Sequence, residues 1–189
     1  IGKFSYFGYY QKRVSEGYRK NSNSDADAQF LNLSYQFSDK LKLSFEVGRS
    51  SYVYKIPGPL TDSMFVADPR QSTRSRNYFN PDITVPSLTL NWQINSNTTL
   101  NWVVSGVFGN RNSLQFEGFA DRVDLIDPVT QQYKTRVVDI DVFNSRTSEL
   151  RLLHQYNTGK IRHALAAGLR YFNNDLNRRQ QGKGTANSD

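Results

Sequence analysis

The chain has no cysteine, and its hydrophobic residues are not gathered into long runs. Without cysteine there is neither a disulfide framework nor a thiolate metal site. No stretch approaches the ~20 apolar residues that a membrane-spanning helix requires, and no signal peptide opens the sequence. The mean hydropathy of −0.65 therefore excludes a helical membrane protein. It does not exclude membrane strands, because these hide their apolar half in alternation.

Motifs for catalysis and resident metals are also missing. The sequence contains no Gly-x-Ser-x-Gly, HExxH or P-loop pattern and no paired carboxylates at useful spacing, so we expect no enzyme and no catalytic residues. The two histidines, His154 and His163, have no carboxylate at ligand spacing beside them, which argues against a metal pair. Five acids suggest a calcium site, but their spacing matches no EF-hand, and solvated loop acids are favoured: Asp121, Asp124, Asp127, Asp139 and Asp141.

The net charge of +7 invites comparison with nucleic-acid-binding proteins. The basic residues, however, are scattered over polar strand positions and loops, and no RRM, helix-turn-helix or zinc-finger signature is present. Dispersal of this kind is typical of charged surfaces rather than of one binding face. We therefore expect no nucleic-acid partner.

What the chain does contain is a strict alternation of apolar and polar residues. Between Leu31 and Val53, two alternating runs flank the turn Asp39-Lys40, which predicts an antiparallel hairpin with one apolar face. Similar hairpins follow, with turns at 95–97 and 157–160. Long polar segments separate the hairpins, at approximately 15–27, 55–82, 110–144 and 173–189.

Short turns on one side and long loops on the other predict an all-β fold, an antiparallel up-and-down transmembrane β-barrel of which this chain supplies about seven strands. A soluble β-sandwich is the alternative, but it would have connections of similar length at both ends. Trp92 and Trp102 fall on the apolar parity near one short turn. We interpret them as part of an interfacial aromatic girdle, the alternative being a core aromatic pair.

Seven strands leave two unpaired edges, which lipid does not tolerate because each exposed backbone group costs several kcal/mol. Further strands must therefore close the barrel. Both ends of the sequence also look cut. We expect residues 1–189 to be an internal piece of a barrel domain, with the four long segments as extracellular loops.

Two stretches resemble a known family. Residues 56–61 (Ile-Pro-Gly-Pro-Leu-Thr), Met64-Phe65 and residues 68–74 (Asp-Pro-Arg-Gln-Ser-Thr-Arg) resemble the loop after an early barrel strand in TonB-dependent siderophore receptors, most closely those of the ferric dicitrate type. Residues 147–152, 173–176 and 178–182 fit the same group. With the strand rhythm between them, the resemblance covers nearly the whole chain.

The resemblance implies a 22-stranded barrel in the outer membrane of a Gram-negative bacterium, filled by an N-terminal plug domain that is absent here. It implies uptake of ferric citrate or a related ferric siderophore, with energy supplied through TonB by way of the missing plug region. No cofactor is bound directly, since iron travels as the chelate. Outer-membrane lipid and lipopolysaccharide are the surrounding partners. The alternatives are another cargo, such as cobalamin, a glycan or a peptide, and a passive porin.

The candidate ligand-binding residues are chosen for their chemistry. Arginine matches carboxylates in bidentate geometry, and glutamine adds directional hydrogen bonds. The alternative is that these arginines pair with nearby acids or lipopolysaccharide phosphates, or merely brace the loops. The candidates lie in two predicted loops: Arg70, Gln71, Arg74, Arg76, Arg178 and Arg179.

Overall fold

The computed structural model describes the backbone of residues 2–184 and the side chains of residues 2–180. It contains seven strands and one short helix in the order β1–β3, α1, β4–β7. The strands are β1 Phe4–Ser15, β2 Ser24–Ser38, β3 Leu41–Lys55, β4 Tyr78–Asn95, β5 Thr98–Gln115, β6 Arg136–Thr158 and β7 Ile161–Gly184, and the helix is α1 Asp62–Ala67.

All seven strands form one antiparallel sheet in which each strand pairs with its sequence neighbours. Every short connection is a two-residue turn, at 39–40, 96–97 and 159–160. The other end of the sheet carries the long connections 16–23, 56–77 and 116–135. The predicted hairpins and the asymmetry of their connections are confirmed.

The alternation of the sequence gives the sheet two chemically different faces. One row of residues paired in register crosses all seven strands on the apolar face. It consists of Phe4, Tyr35, Leu43, Leu90, Trp102, Leu150 and Leu169. The opposite face carries cross-strand polar pairs such as Asn32 with Glu46 and Asn101 with Asn91, each at 2.7 Å. A register slip of one residue would exchange the two faces, so the alternation also fixes the pairing.

The sheet is a single layer without a core of its own. Among the described residues, Leu114 and Pro81 are the fully buried apolar side chains. Trp92 and Trp102 are 42% and 41% exposed, so they are not a core pair. Together with the single sheet, this rules out the sandwich alternative, because a sandwich buries one face of each sheet against the other. No helix in the described part of the chain is long and apolar enough to span a membrane.

The three short turns are staggered along the sheet. Relative to the row through Leu43, Trp102 and Leu169, the strands that follow the turns begin two, four and eight residues earlier, at Leu41, Thr98 and Ile161. From the first turn to the last, the stagger is about 5 Å along the strand for each strand crossed, and strands lie about 4.8 Å apart. Turns at one level thus require a tilt of about 45°, which is a barrel tilt.

Several strands extend into segments that the sequence assigns to loops. The predicted loop 110–144 is wrong at both ends, because β5 continues to Gln115 and β6 begins at Arg136. Alternation in fact resumes there, with Val138, Ile140 and Val142 on one face. The predicted loops 15–27 and 55–82 are also too long, because the flanking strands extend into them. The observed connections are 16–23 and 56–77.

The predicted loop 173–189 is also wrong over most of its length. Strand β7 continues to Gly184, and its polar end pairs with β6 from Arg136 onward. Polar residues occupy both faces beyond Phe172, so alternation gives no signal there, and backbone pairing with a long neighbour maintains the strand. Residues 185–189 of that predicted loop lie outside the described residues.

Candidate functional site

The long connections 16–23, 56–77 and 116–135 form one hydrogen-bonded unit, which we call the loop cap. Lys20 N donates to Arg70 O at 2.8 Å, and Arg19 Nη1 donates to Gly58 O at 2.7 Å. Asn21 Nδ2 donates to Arg74 O at 2.9 Å. Within the loop cap, Thr61 is the N-cap residue of helix α1, and its hydroxyl accepts a hydrogen bond from Met64 N.

Arg74 is the central brace of the loop cap. It is 3% exposed, and its guanidinium donates to the carbonyls of Phe116 at 3.0 Å, Arg122 at 2.8 Å and Gly118. Burial lowers the pKa of Arg74, and the charge of Asp124 partly offsets that effect. Because its donors are occupied by backbone carbonyls, Arg74 fits the bracing alternative better than ligand contact.

Gly58 makes room for this brace. Its φ of +77° is in the left-handed region, and a Cβ there would stand 2.5 Å from Arg74 Cγ and 2.6 Å from Thr73 Oγ1. Only glycine satisfies both the backbone conformation and the close approach. The Pro57-Gly58-Pro59 segment is therefore shaped to hold Arg74 in place.

The remaining cap candidates differ in exposure and in their contacts. Arg70 is exposed, with its guanidinium 5.2 Å from the ring centre of Tyr18. Gln71 donates to Met64 O at 2.6 Å. Arg76 lies 4.3 Å from the ring centre of Tyr133 and is half-buried. Of these three, Arg70 is the one that presents an exposed cation.

Arg178 lies on the polar face of the sheet beside the loop cap. Its Nε donates to Asp141 Oδ1 at 2.7 Å, and Arg111 donates to the same carboxylate from β5. Two guanidinium groups share the Asp141 carboxylate, and the charge of Asp139 also acts on Arg178. Arg179 pairs in register with Ile140 on the opposite, apolar face, so the two neighbouring arginines do not share one site.

The predicted acidic patch separates into different structural roles. Asp124, 2% exposed, accepts two hydrogen bonds from Arg136 at 3.2 Å and one from Ser75 at 3.0 Å. Asp141 is 0% exposed between its two arginines. The expectation of solvated acids is thus wrong for these two residues. The sequence alone does not single out Arg19 and Arg111, because their partners are distant in the chain.

Asp127 caps a turn within residues 116–135. The backbone N–H groups of Thr130 and Val129 donate to its carboxylate and hold its pKa below the usual value. No group of three or more potential metal-ligating acids, histidines or cysteines occurs in the described part of the chain. Within this loop, Asp127 thus caps a turn and Asp124 pairs with Arg136.

The histidines occupy the short-turn end of the apolar face. His154 and Tyr156 stack with ring centres 5.8 Å apart, and Tyr156 and His163 stack at 5.0 Å. The Thr98 hydroxyl is 2.9 Å from His154 Nδ1. The three rings form an aromatic stack at the short-turn end of the apolar face.

Comparison with solved structures identifies the fold. The chain is similar to the ferric citrate transporter FecA in its unliganded form, with a TM-score of 0.77 and 19% identity over 96% of this chain. The match covers 25% of the transporter chain, so this chain spans about a quarter of its length. No family model matches the chain, and no curated protein matches it significantly.

The fold is therefore all-β, with seven antiparallel up-and-down strands that match a fragment of the FecA barrel. The similar structure is that of a transporter, which is consistent with the expectation that the chain is not an enzyme. An identity of 19% supports the architecture and leaves the cargo to be argued from the residues of this chain.

Proposed function

We propose that the chain is part of the wall of an outer-membrane β-barrel receptor that takes up a ferric chelate, ferric citrate or a related siderophore, with energy supplied through TonB. The main support for this proposal is the combination of an exposed apolar face, a polar opposite face and a braced loop cap at one end only. In this arrangement the apolar face contacts lipid, the polar face lines the lumen and the cap faces the cell exterior.

The proposed ligand contacts are cations on the lumen side of the cap. Arg178 and Arg111 share Asp141 on the polar face, and Arg70 presents an exposed guanidinium from the cap. A ferric chelate with carboxylate oxygens would accept charge-assisted hydrogen bonds from these groups. Gln71 and Arg76 remain neighbouring candidates, whereas Arg74 acts through the position of the loops and Arg179 faces the opposite side.

The direct test uses the intact protein in detergent and ferric dicitrate labelled with radioactive iron. Arg70→Ala and Arg178→Ala should each weaken binding about tenfold, which corresponds to about 1.4 kcal/mol. Arg162→Ala is the matched control, because Arg162 lies on the same face beside the short turn and donates to Gln155. Binding that is unchanged in both cap-side variants would contradict the site. Absence of binding by the unaltered protein would contradict the cargo.

One observation favours a second candidate, a transporter of the same fold with a ring-bearing cargo. The polar face contains a hollow of about 490 Å³ lined by Tyr9, Phe30 and Tyr52, with Gly48 on its floor. Aromatic side chains stack on sugars, catechols and macrocycles more readily than on citrate, which has no ring. Competition decides between the two: a catecholate chelate that displaces ferric dicitrate at lower concentration would favour the ring-bearing cargo.

A further inference from the structure

The apolar face contains a groove near the loop-cap margin of its apolar band. Its volume is about 290 Å³. It is lined mainly by residues of β4 and β5, with one residue each from β3 and β6. The residues are Phe45, Pro86, Leu88, Val104, Gly106 and Phe108, which we call the apolar groove.

The shape of the apolar groove depends on Gly106. In the sheet Gly106 lies between Pro86 on its row in β4 and Arg146 in β6. A Cβ at Gly106 would collide with the ring of Phe108, which leans over this position from the next row. Because Gly106 has no side chain, the ring of Phe108 lies over it and forms part of the groove wall.

Arg146 stands at the side of the apolar groove and provides its only charge. Its side chain is exposed and makes no hydrogen bond, ion pair or ring contact within the described residues. The one acid near it on this face of β7, Asp175, pairs in register with Asn144 and forms no ion pair with Arg146. An unpaired cation beside an apolar membrane surface requires an anionic partner or water at the headgroup level.

Polar groups that could assist an anion surround Arg146 on the same face. Trp102 Nε1 donates to Ser148 Oγ at 2.9 Å, and Tyr171 is opposite Ser148 on β7. Both hydroxyl-bearing side chains lie one row below Arg146, at the level where the apolar band gives way to Asn144 and Asn173. The cation, the hydroxyl groups and the apolar groove are thus arranged as a headgroup site above an acyl-chain site.

We propose that the apolar groove and Arg146 bind a phosphate-bearing lipid of the surrounding membrane, with an acyl chain in the groove and the phosphate on the guanidinium. The proposal rests on the membrane location in the proposed function and is independent of the cargo. It assigns this part of the wall a specific lipid partner, where an ordinary barrel surface would contact any lipid.

The test is native mass spectrometry of the intact protein in detergent, titrated with phosphatidic acid, phosphatidylcholine or inorganic phosphate. Phosphatidic acid should bind about fivefold more tightly than phosphatidylcholine, and Arg146→Gln should abolish that preference. Val104→Phe, which fills the groove and leaves the cation, should weaken binding of both lipids. Inorganic phosphate in excess should not displace phosphatidic acid.

The matched control is Arg170→Gln, which removes the same charge from the polar face of β7 near the same level. Its lipid preference should equal that of the unaltered protein. Equal binding of the two lipids, equal loss in Arg170→Gln, or displacement by inorganic phosphate would each overturn the proposal. A protein that fails to bind ferric dicitrate but keeps the Arg146-dependent preference would overturn the cargo and support the lipid site.

Discussion

At the scale of single residues, two arginines four positions apart have different roles. Arg74 is enclosed by backbone carbonyls of the 116–135 connection, while Arg70 is exposed beside Tyr18. The sequence marks both as cations in a segment rich in proline and glycine, and it offers no means of separating them. The difference arises from contacts with residues more than forty positions away, which no local pattern contains.

Arg74→Ala should therefore loosen the loop cap. Charge-assisted hydrogen bonds contribute about 1.5–3 kcal/mol each, so we expect the opening free energy of residues 116–124 to fall by about 2–4 kcal/mol. Hydrogen exchange followed by mass spectrometry measures this directly. Gly58→Ala should produce the same pattern, because its Cβ displaces Arg74. Arg70→Ala is the control and should leave exchange in 116–124 unchanged; an equal effect of Arg70→Ala would contradict the assigned roles.

Asp141 limits the charge that its two arginines can offer to a ligand. Asp141→Asn would keep the shape of the side chain and release Arg111 and Arg178 from their ion pairs. If Arg178 contacts an anionic chelate, affinity for ferric dicitrate should rise about threefold or more. Isothermal titration of the intact protein measures the change. A fall in affinity with the fold intact would show that Asp141 positions the arginines instead.

At the scale of elements, alternation and turn chemistry predict the hairpins well, and strand ends poorly. The run Leu41 to Val47 alternates cleanly, and Asp39-Lys40 marks the turn, so the first hairpin is evident. Beyond Phe172 both faces of β7 are polar apart from Leu176, and the strand persists because β6 supplies its hydrogen bonds. Pairing with a neighbour is a property of the sheet, and the local sequence does not encode it.

The pair of Asp124 and Arg136 anchors the start of β6 under the loop cap. Both side chains are fully enclosed, with two hydrogen bonds of 3.2 Å between them. Asp124→Asn should cost about 3–5 kcal/mol in the local opening free energy, because the guanidinium loses its charged partner. Hydrogen exchange of residues 122–138 provides the measurement, and the exposed Asp121→Asn is the matched control. A cost equal to that of the control would contradict an anchoring role.

At the scale of the whole molecule, the stagger of the turns relates the pairing register to the tilt of the strands. Relative to the row through Leu43 and Leu169, β3 begins two residues earlier and β7 begins eight residues earlier. A tilt of about 45° compensates for this difference and keeps the three short turns at one level. The sequence contains the tilt only implicitly, in the unequal numbers of residues between each turn and the row of paired residues. The pairing register makes it visible.

The most direct test of the central claim is site-directed spin labelling of the intact protein in lipid bilayers. The chain contains no cysteine, so single cysteines can be introduced at Leu43, Leu90 and Leu150 on the apolar face and at Ser44, Thr89 and Glu149 on the polar face. We predict that labels at the first three sites are relaxed by oxygen and those at the last three by a water-soluble nickel complex. Equal access of the nickel complex to both sets would contradict a lipid-facing barrel wall.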